Sequence, residues 1–331
     1  MKKLFLYITL SIFIFSNSYG IESINSFIKI DGNIISAEDV SGITKFGKFI
    51  IIGSDEAVGS KNYIQLLKRK FDRYIVYKDI LLLNGKELDI EGIAEDGEYI
   101  YIIGSHSSKR KKVKKSKRYE KNRSNFFAKK VEEEIGRDWL YRIKIDPDGK
   151  SLSKDRISLR HILKNDNVLK AFTQIPSKEN GIDIEGIAAK NGLLYIGFRG
   201  PVFRGNYVPV LKLKFDNPDI YEIVYVQLGG FGIRGLTKVS DGFLILAGPV
   251  GDRKSSYQIF HWNGFDMIPG KNRTGKKGMV SKMYEIEPPK GGKAEGIAVI
   301  NEERSHYKII LVYDGVKIIG NIFQRLIIQK K

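Results

Sequence analysis

Apolar residues gather along this chain in short β-branched and aromatic runs closed by glycine: KFIIIGS (48–54), YIYIIGS (99–105), LLYIGFRG (193–200), FLILAGP (243–249) and YKIILVYDG (307–315). Runs of this length and make-up suit strands of a pleated sheet. Each is preceded, across a turn, by a copy of one short pattern: DVSGIT (39–44), DIEGIA (89–94 and again 183–188), GIRGLT (232–237) and KAEGIA (293–298). The unit is strand, turn, strand. Further strands are expected at 140–145, 208–215 and 219–227, with a turn at 146–149.

The shared glycines, Gly42, Gly92, Gly186, Gly235 and Gly296, are spaced by 50, 94, 49 and 61 residues. Periods of about 40–50 residues with several strands each belong to propeller blades. The expectation is an all-β propeller of five blades, six being the alternative, in a single domain over residues 21–331. The long interval is attributed to an insertion in the second blade, residues 106–137, made of a basic loop and a short helix. The helix is placed at 125–135, where Phe127, Val131 and Ile135 follow helical spacing and Gly136 stands as a stop.

Packing alone accounts for most of the pattern. Glycine lets an inner strand approach its neighbours at the crowded axis, and Ile and Ala fill the space between blades. It does not account for Glu91, Glu185 and Glu295, which share one repeat position, because a buried ionised group is costly unless paired or metal-bound. Ser41 and Arg234 take that position in the other two copies. If the pattern opens the innermost strand, the axial channel collects three carboxylates, one guanidinium and one hydroxyl. Asp39, Asp89 and Asp183, two residues earlier, either line the same end or cap turns.

The ordered series resembles a bacterial propeller family known only as domain-of-unknown-function family 3616. It includes DIEGIA followed by IIGSHS (102–107), DIEGIA followed by IGFRGPV (196–202), GGFGIRGL (229–236) followed by LILAGP (244–249), then HWNG (261–264) and KAEGIA. The resemblance implies a propeller and no established activity. It also marks two departures: Gly235 stands where the family tends to have Asp, and Tyr313-Asp314-Gly315 stands where it tends to have a doubled acid before glycine. His106, Arg199 and Arg234 lie at strand or motif ends of matched segments and are candidates for the channel mouth. For Arg199 the competing role is pairing with a repeat carboxylate.

Charge and composition narrow the setting. Residues 1–20 read as a secretory signal, with Lys2 and Lys3, an apolar run from Leu4 to Phe15, and a Ser18-Tyr19-Gly20 processing site. The apolar run is too short to span a bilayer, so no transmembrane span is expected after its removal, and the mature protein is expected to be periplasmic or secreted. The absence of cysteine excludes disulfides, thiolate catalysis and cysteine-held metals. Net charge is +18, and half of it lies in the stretch from Lys109 to Arg123, where ten basic residues face Glu120 alone. That stretch is expected to project as a mobile loop and to suit an anionic surface. Export makes nucleic acid an unexpected partner in the cell.

Three functions compete at this stage. One is a binding propeller that takes a small anionic ligand, a cation or an envelope partner at the Glu-lined channel. The second is a metal-dependent hydrolase of phosphate or other esters, and the third a scaffold without ligand. No Ser-His-Asp series, phosphate-binding loop or HExxH pattern is present. Glu91, Glu185 and Glu295 are the expected ligands of Ca²⁺ or Mg²⁺, both of which prefer oxygen. Pairing with Arg234 is the alternative that would make the cluster structural.

Overall fold

The computed structural model describes residues 26–251, 255–317 and 319–330; the expected signal sequence lies outside them. Five sheets, antiparallel except for one two-residue edge strand, stand around one axis. Their innermost strands are Val40–Phe46, Ile90–Asp96, Asp183–Lys190, Gly232–Val239 and Lys293–Glu302. Each packs against the next, and the fifth packs against the first. All five carry the repeated pattern, so the repeat is the inner strand of each blade and the five-bladed expectation holds.

The strands form where they do because their apolar residues have two faces to fill. Ile51, Ile102, Ile196, Ile245 and Leu311, all in second strands, are fully buried between blades. The motif glycines set the distance between neighbouring inner strands. A Cβ on Gly42 would meet Ile93, one on Gly92 would meet Ile187, one on Gly186 would meet Ile233, one on Gly235 would meet Ile297, and one on Gly296 would meet Ile43. Glycine of each blade thus receives an apolar residue of the next, around a closed ring.

The ring closes with residues from both ends of the described chain. Ser26–Phe27 pairs with Phe323–Gln329 as the outermost strand of the fifth blade, and Ile30–Asp31 then lies parallel to Arg73–Asn84 at the edge of the first. Neither short strand is visible in the repeat.

The insertion leaves the second blade between Tyr99–Gly104 and Leu140–Ile145. The expected helix at 125–135 is not formed. A helix occupies Tyr119–Ser124 instead, with Glu120 in its first turn and Lys121 and Arg123 in its last, an order that suits the helix dipole. Phe127 and Ile135 are exposed, so the apolar spacing that suggested a helix has nothing to pack against. Val131–Glu133 pairs with Ser108–Arg110 as a small hairpin, drawn together by Lys111 to Glu132 at 3.0 Å and by Lys109 to Glu134. The root of the basic stretch is therefore held by strand pairing and ion pairs. A second excursion at 158–182, with a helix at Arg160–Asn165 that buries Ile162 and Leu163, supplies the rest of the long interval.

Candidate functional site

A β-bulge is what aims the repeat position at the axis. In every inner strand the pairing slips by one residue just before the motif glycine, between Val40 and Gly42, Ile90 and Gly92, Ile184 and Gly186, Ile233 and Gly235, and Ala294 and Gly296. The skipped residues are Ser41, Glu91, Glu185, Arg234 and Glu295. A bulge leaves its extra residue out of the ladder and turns its side chain, so five equivalent side chains arrive at one end of the axis. Glu91, Glu185, Glu295 and Ser41 line one narrow cavity there.

Ile43, Ile93, Ile187, Leu236 and Ile297 close in beside the carboxylates, leaving room for about one water molecule. Ser41 donates to the Ile90 carbonyl of the neighbouring blade and to Gly53 O at 3.4 Å, so it joins blades rather than facing a ligand.

Two of the three glutamates are neutralised by arginine. Arg199 pairs with Asp183 and lies 2.5 Å from Glu185 Oε1; Arg234 Nη1 lies 3.1 Å from Glu185 Oε2 and donates to Glu295 Oε1 at 2.6 Å. Charges of alternating sign thus run Asp183, Arg199, Glu185, Arg234, Glu295, all of them buried. Burial raises the Glu185 and Glu295 carboxyls above their usual range, against the pull of Arg199 and Arg234 on the first and of Arg234 on the second. Such a chain of ions is held by mutual contact, and removing one member leaves a buried charge unpaired.

The third glutamate belongs to a different group. Asp55, Asp89 and Glu91 each offer one carboxylate oxygen, and these oxygens all lie within 4.8 Å of one another. Among the described residues no cation contacts Asp55 or Glu91. Arg137, from the insertion, lies 2.9 Å from Asp89 Oδ2 but is shared with Glu87 and with Glu134 at 3.1 Å. Asp89 adopts left-handed backbone geometry with φ 57°, which costs of order 1 kcal/mol in a non-glycine residue. Burial, and after it the charges of Asp89, Asp314 and Asp39, pushes Asp55 up to about 9. Burial and then Glu185 and Asp89 raise Glu91 well above the ordinary carboxylate range. Three carboxyls this close cannot all ionise without a cation.

The remaining candidates are distributed as follows. Asp183 is in the arginine chain and Asp89 in the acid group. Asp39 ends a short 3₁₀ turn, where its carbonyl accepts the Asp55 N–H at 3.1 Å. His106 is fully buried. Its Nδ1 donates to Gly104 O at 2.9 Å and its Nε2 accepts the Leu159 N–H at 3.3 Å. Burial pushes it down to about 4, so it is neutral and anchors the root of the insertion.

Asp55 and Arg137 were not singled out from the sequence. A signal for Asp55 exists in the strand register. The partners of the motif glycines are Gly53, Ile103, Gly197, Leu246 and Val312. Two residues further on stand Asp55, Ser105, Arg199, Gly248 and Asp314, so the second strands carry their own ring of equivalent positions at the mouth. Arg137 has no repeat counterpart and is legible only in the structure.

Among the described residues no helix is long and apolar enough to cross a membrane. No curated protein matches the sequence. Solved structures are similar to the chain at low identity. An exo-β-1,3-galactanase from Phanerochaete chrysosporium with bound β-1,3-galactotriose has TM-score 0.45 and 9% identity over 93% of this chain and 64% of its own, so this chain spans less than two thirds of that protein. A protein from Lactobacillus plantarum gives TM-score 0.37 and 12% identity over 90% and 73%, and a hypothetical protein from Leishmania major gives 0.43 and 12% over 92% and 89%. Over residues 39–318, which include every inner strand and both charge groups of the mouth, the chain matches the model of the family described as "Protein of unknown function (DUF3616)" and belongs to it.

Proposed function

We propose that this is an exported binding propeller whose mouth holds a hard divalent cation on Asp55, Asp89 and Glu91 and offers its open coordination positions to a small anionic ligand. The observation that carries the reading is the asymmetry of the mouth. Glu185 and Glu295 have arginine partners, whereas Asp55 and Glu91 have none among the described residues and lie within 4.8 Å of each other and of Asp89. Oxygens within that distance of one another can converge on one hard cation, and calcium, which takes oxygen at about 2.3–2.6 Å in flexible geometry, demands less exact placement of them than magnesium does. The expected ligand set thereby shifts from Glu91, Glu185 and Glu295 to Glu91 with two aspartates. An affinity of about 10⁻⁴–10⁻³ M, usual for calcium modules outside the cell, would suit an exported protein.

Thermal melting tests the reading. A ligand that binds only the folded state stabilises it by about 2.7 kcal/mol at a hundredfold excess over Kd, so Tm is expected to climb with calcium concentration. Glu91→Gln is expected to abolish most of that climb, and Glu185→Gln to retain it at a lower starting Tm. An unchanged calcium response in Glu91→Gln would refute the site. Calcium-dependent turnover of bis(p-nitrophenyl) phosphate would replace the binding reading by hydrolysis at the same cation.

A further inference from the structure

The lobe at the tip of the insertion has a surface independent of the mouth carboxylates. Residues 111–130 hold ten Lys or Arg against the single acid Glu120. The lobe is organised by its own polar contacts. Asn122 Oδ1 accepts the Lys114 N–H at 3.0 Å, Asn122 Nδ2 donates to Lys114 O at 2.9 Å, and Arg110 Nη1 donates to the carbonyls of Asn125 and Phe127 at 2.7 and 3.1 Å. With these polar groups turned inward, large apolar side chains face out: Val113, Tyr119, Phe126 and Phe127 are 53%, 68%, 65% and 51% exposed. This inverts the usual arrangement of a small folded element and marks a surface built for contact.

The charges divide in the same way. At the root, Lys109, Arg110 and Lys111 are engaged by Glu134, Glu179 and Glu132. At the tip, Lys112, Lys114, Lys115, Lys117 and Lys121 are exposed and have no carboxylate partner among the described residues. A partner must therefore be anionic and also receive apolar side chains.

We propose that this lobe docks on an anionic lipid bilayer, with its lysines at the headgroups and Tyr119, Phe126 and Phe127 seated among them. Basic residues beside aromatic ones are the composition that binds a membrane interface, charge giving attraction and apolar area giving insertion. Single-stranded nucleic acid would satisfy the lysines and stack on the aromatic rings, but Val113 cannot stack on a base, whereas a bilayer accepts it.

The test is flotation of the full protein with vesicles of phosphatidylglycerol and phosphatidylcholine in equal parts, beside phosphatidylcholine alone. Binding is expected only to the anionic vesicles. At low salt each of Lys112→Gln, Lys114→Gln, Lys115→Gln and Lys117→Gln is expected to lower partitioning about fivefold. Attraction between charges fades as salt rises, so the binding that survives high salt is expected to vanish in the triple variant Tyr119→Ser, Phe126→Ser, Phe127→Ser, with circular dichroism and Tm unchanged. Brominated lipid is expected to quench a reporter placed by Phe126→Trp. The proposal is overturned if the wild type ignores anionic vesicles, if the triple variant binds like wild type at every salt concentration, or if oligothymidylate displaces the protein from vesicles at equal phosphate.

Discussion

His106 shows how a residue can sit in a polar string at a strand end, GSHS, and yet work through burial. Its ring is neutral because one nitrogen donates to Gly104 O and the other accepts from Leu159 N–H. Burial holds its pKa at about 4, below the ordinary value of 6.5. As pH falls from about 6.5 to about 4, the unfolded chain takes up a proton that the folded protein refuses, so stability drops over that window. Urea midpoints measured across it are expected to fall in the wild type relative to His106→Asn, which has no such proton to refuse. Parallel pH curves for the two proteins would show that the buried ring is charged. Asp55 is the opposite case, a mouth residue that the repeat did not reveal. The repeated pattern ends with the apolar run KFIIIGS (48–54), and Asp55 is the next residue, in a bend. Only hairpin register places it level with Arg199 and Asp314.

At the scale of one element, the inner strand carries two instructions that the sequence states openly: a bulge residue for the axis and a glycine for the neighbour. A Cβ on Gly92 would stand 2.9 Å from Ile187 Cγ2 and 3.2 Å from the Ile187 backbone nitrogen. The backbone contact cannot be relieved by a rotamer change, so Gly92→Ala is expected to cost about 1–3 kcal/mol. Gly270→Ala is the control, since its nearest neighbours stand 3.7 Å away or more. Denaturant melts of the two variants decide the matter, and equal stability would mean that neighbouring inner strands are not held at this spacing. The strands were legible because their apolar residues have sheet neighbours on both faces. The helix of the insertion was misplaced because Phe127, Val131 and Ile135 had the spacing of a buried helix face without a core to bury it. The local charges of Glu132 and Glu134 with Lys111 and Lys109 decided the hairpin instead.

For the whole molecule, the decisive contact is the one that turns five blades into a ring. Ser26–Phe27 completes the fifth blade, Ile28 donates its N–H to Phe323 O at 2.9 Å, and the chain then runs to the edge of the first blade at Ile30–Asp31. Closure of the ring shuts the gap between the last blade and the first and leaves only the short outer edge of each blade open. No repeat signal reaches these residues, because a two-residue strand has too little pattern to recognise. Ile28 is 4% exposed and packs in a core that includes Leu326 and Ile328 of the fifth blade and Ile43 and Ile52 of the first. Its truncation by Ile28→Ala therefore removes contacts on both sides of the closure and is expected to cost about 2–5 kcal/mol. The mouth draws acids from the first, second, third and fifth blades and arginines from the third and fourth, so its geometry depends on the ring being shut. Ile28→Ala is accordingly expected to lower Tm as one cooperative transition and to weaken the calcium response in proportion to the unfolded fraction. A separate early transition that leaves the calcium response intact would show that the closing strand unfolds alone and that the mouth is held by the inner strands without it.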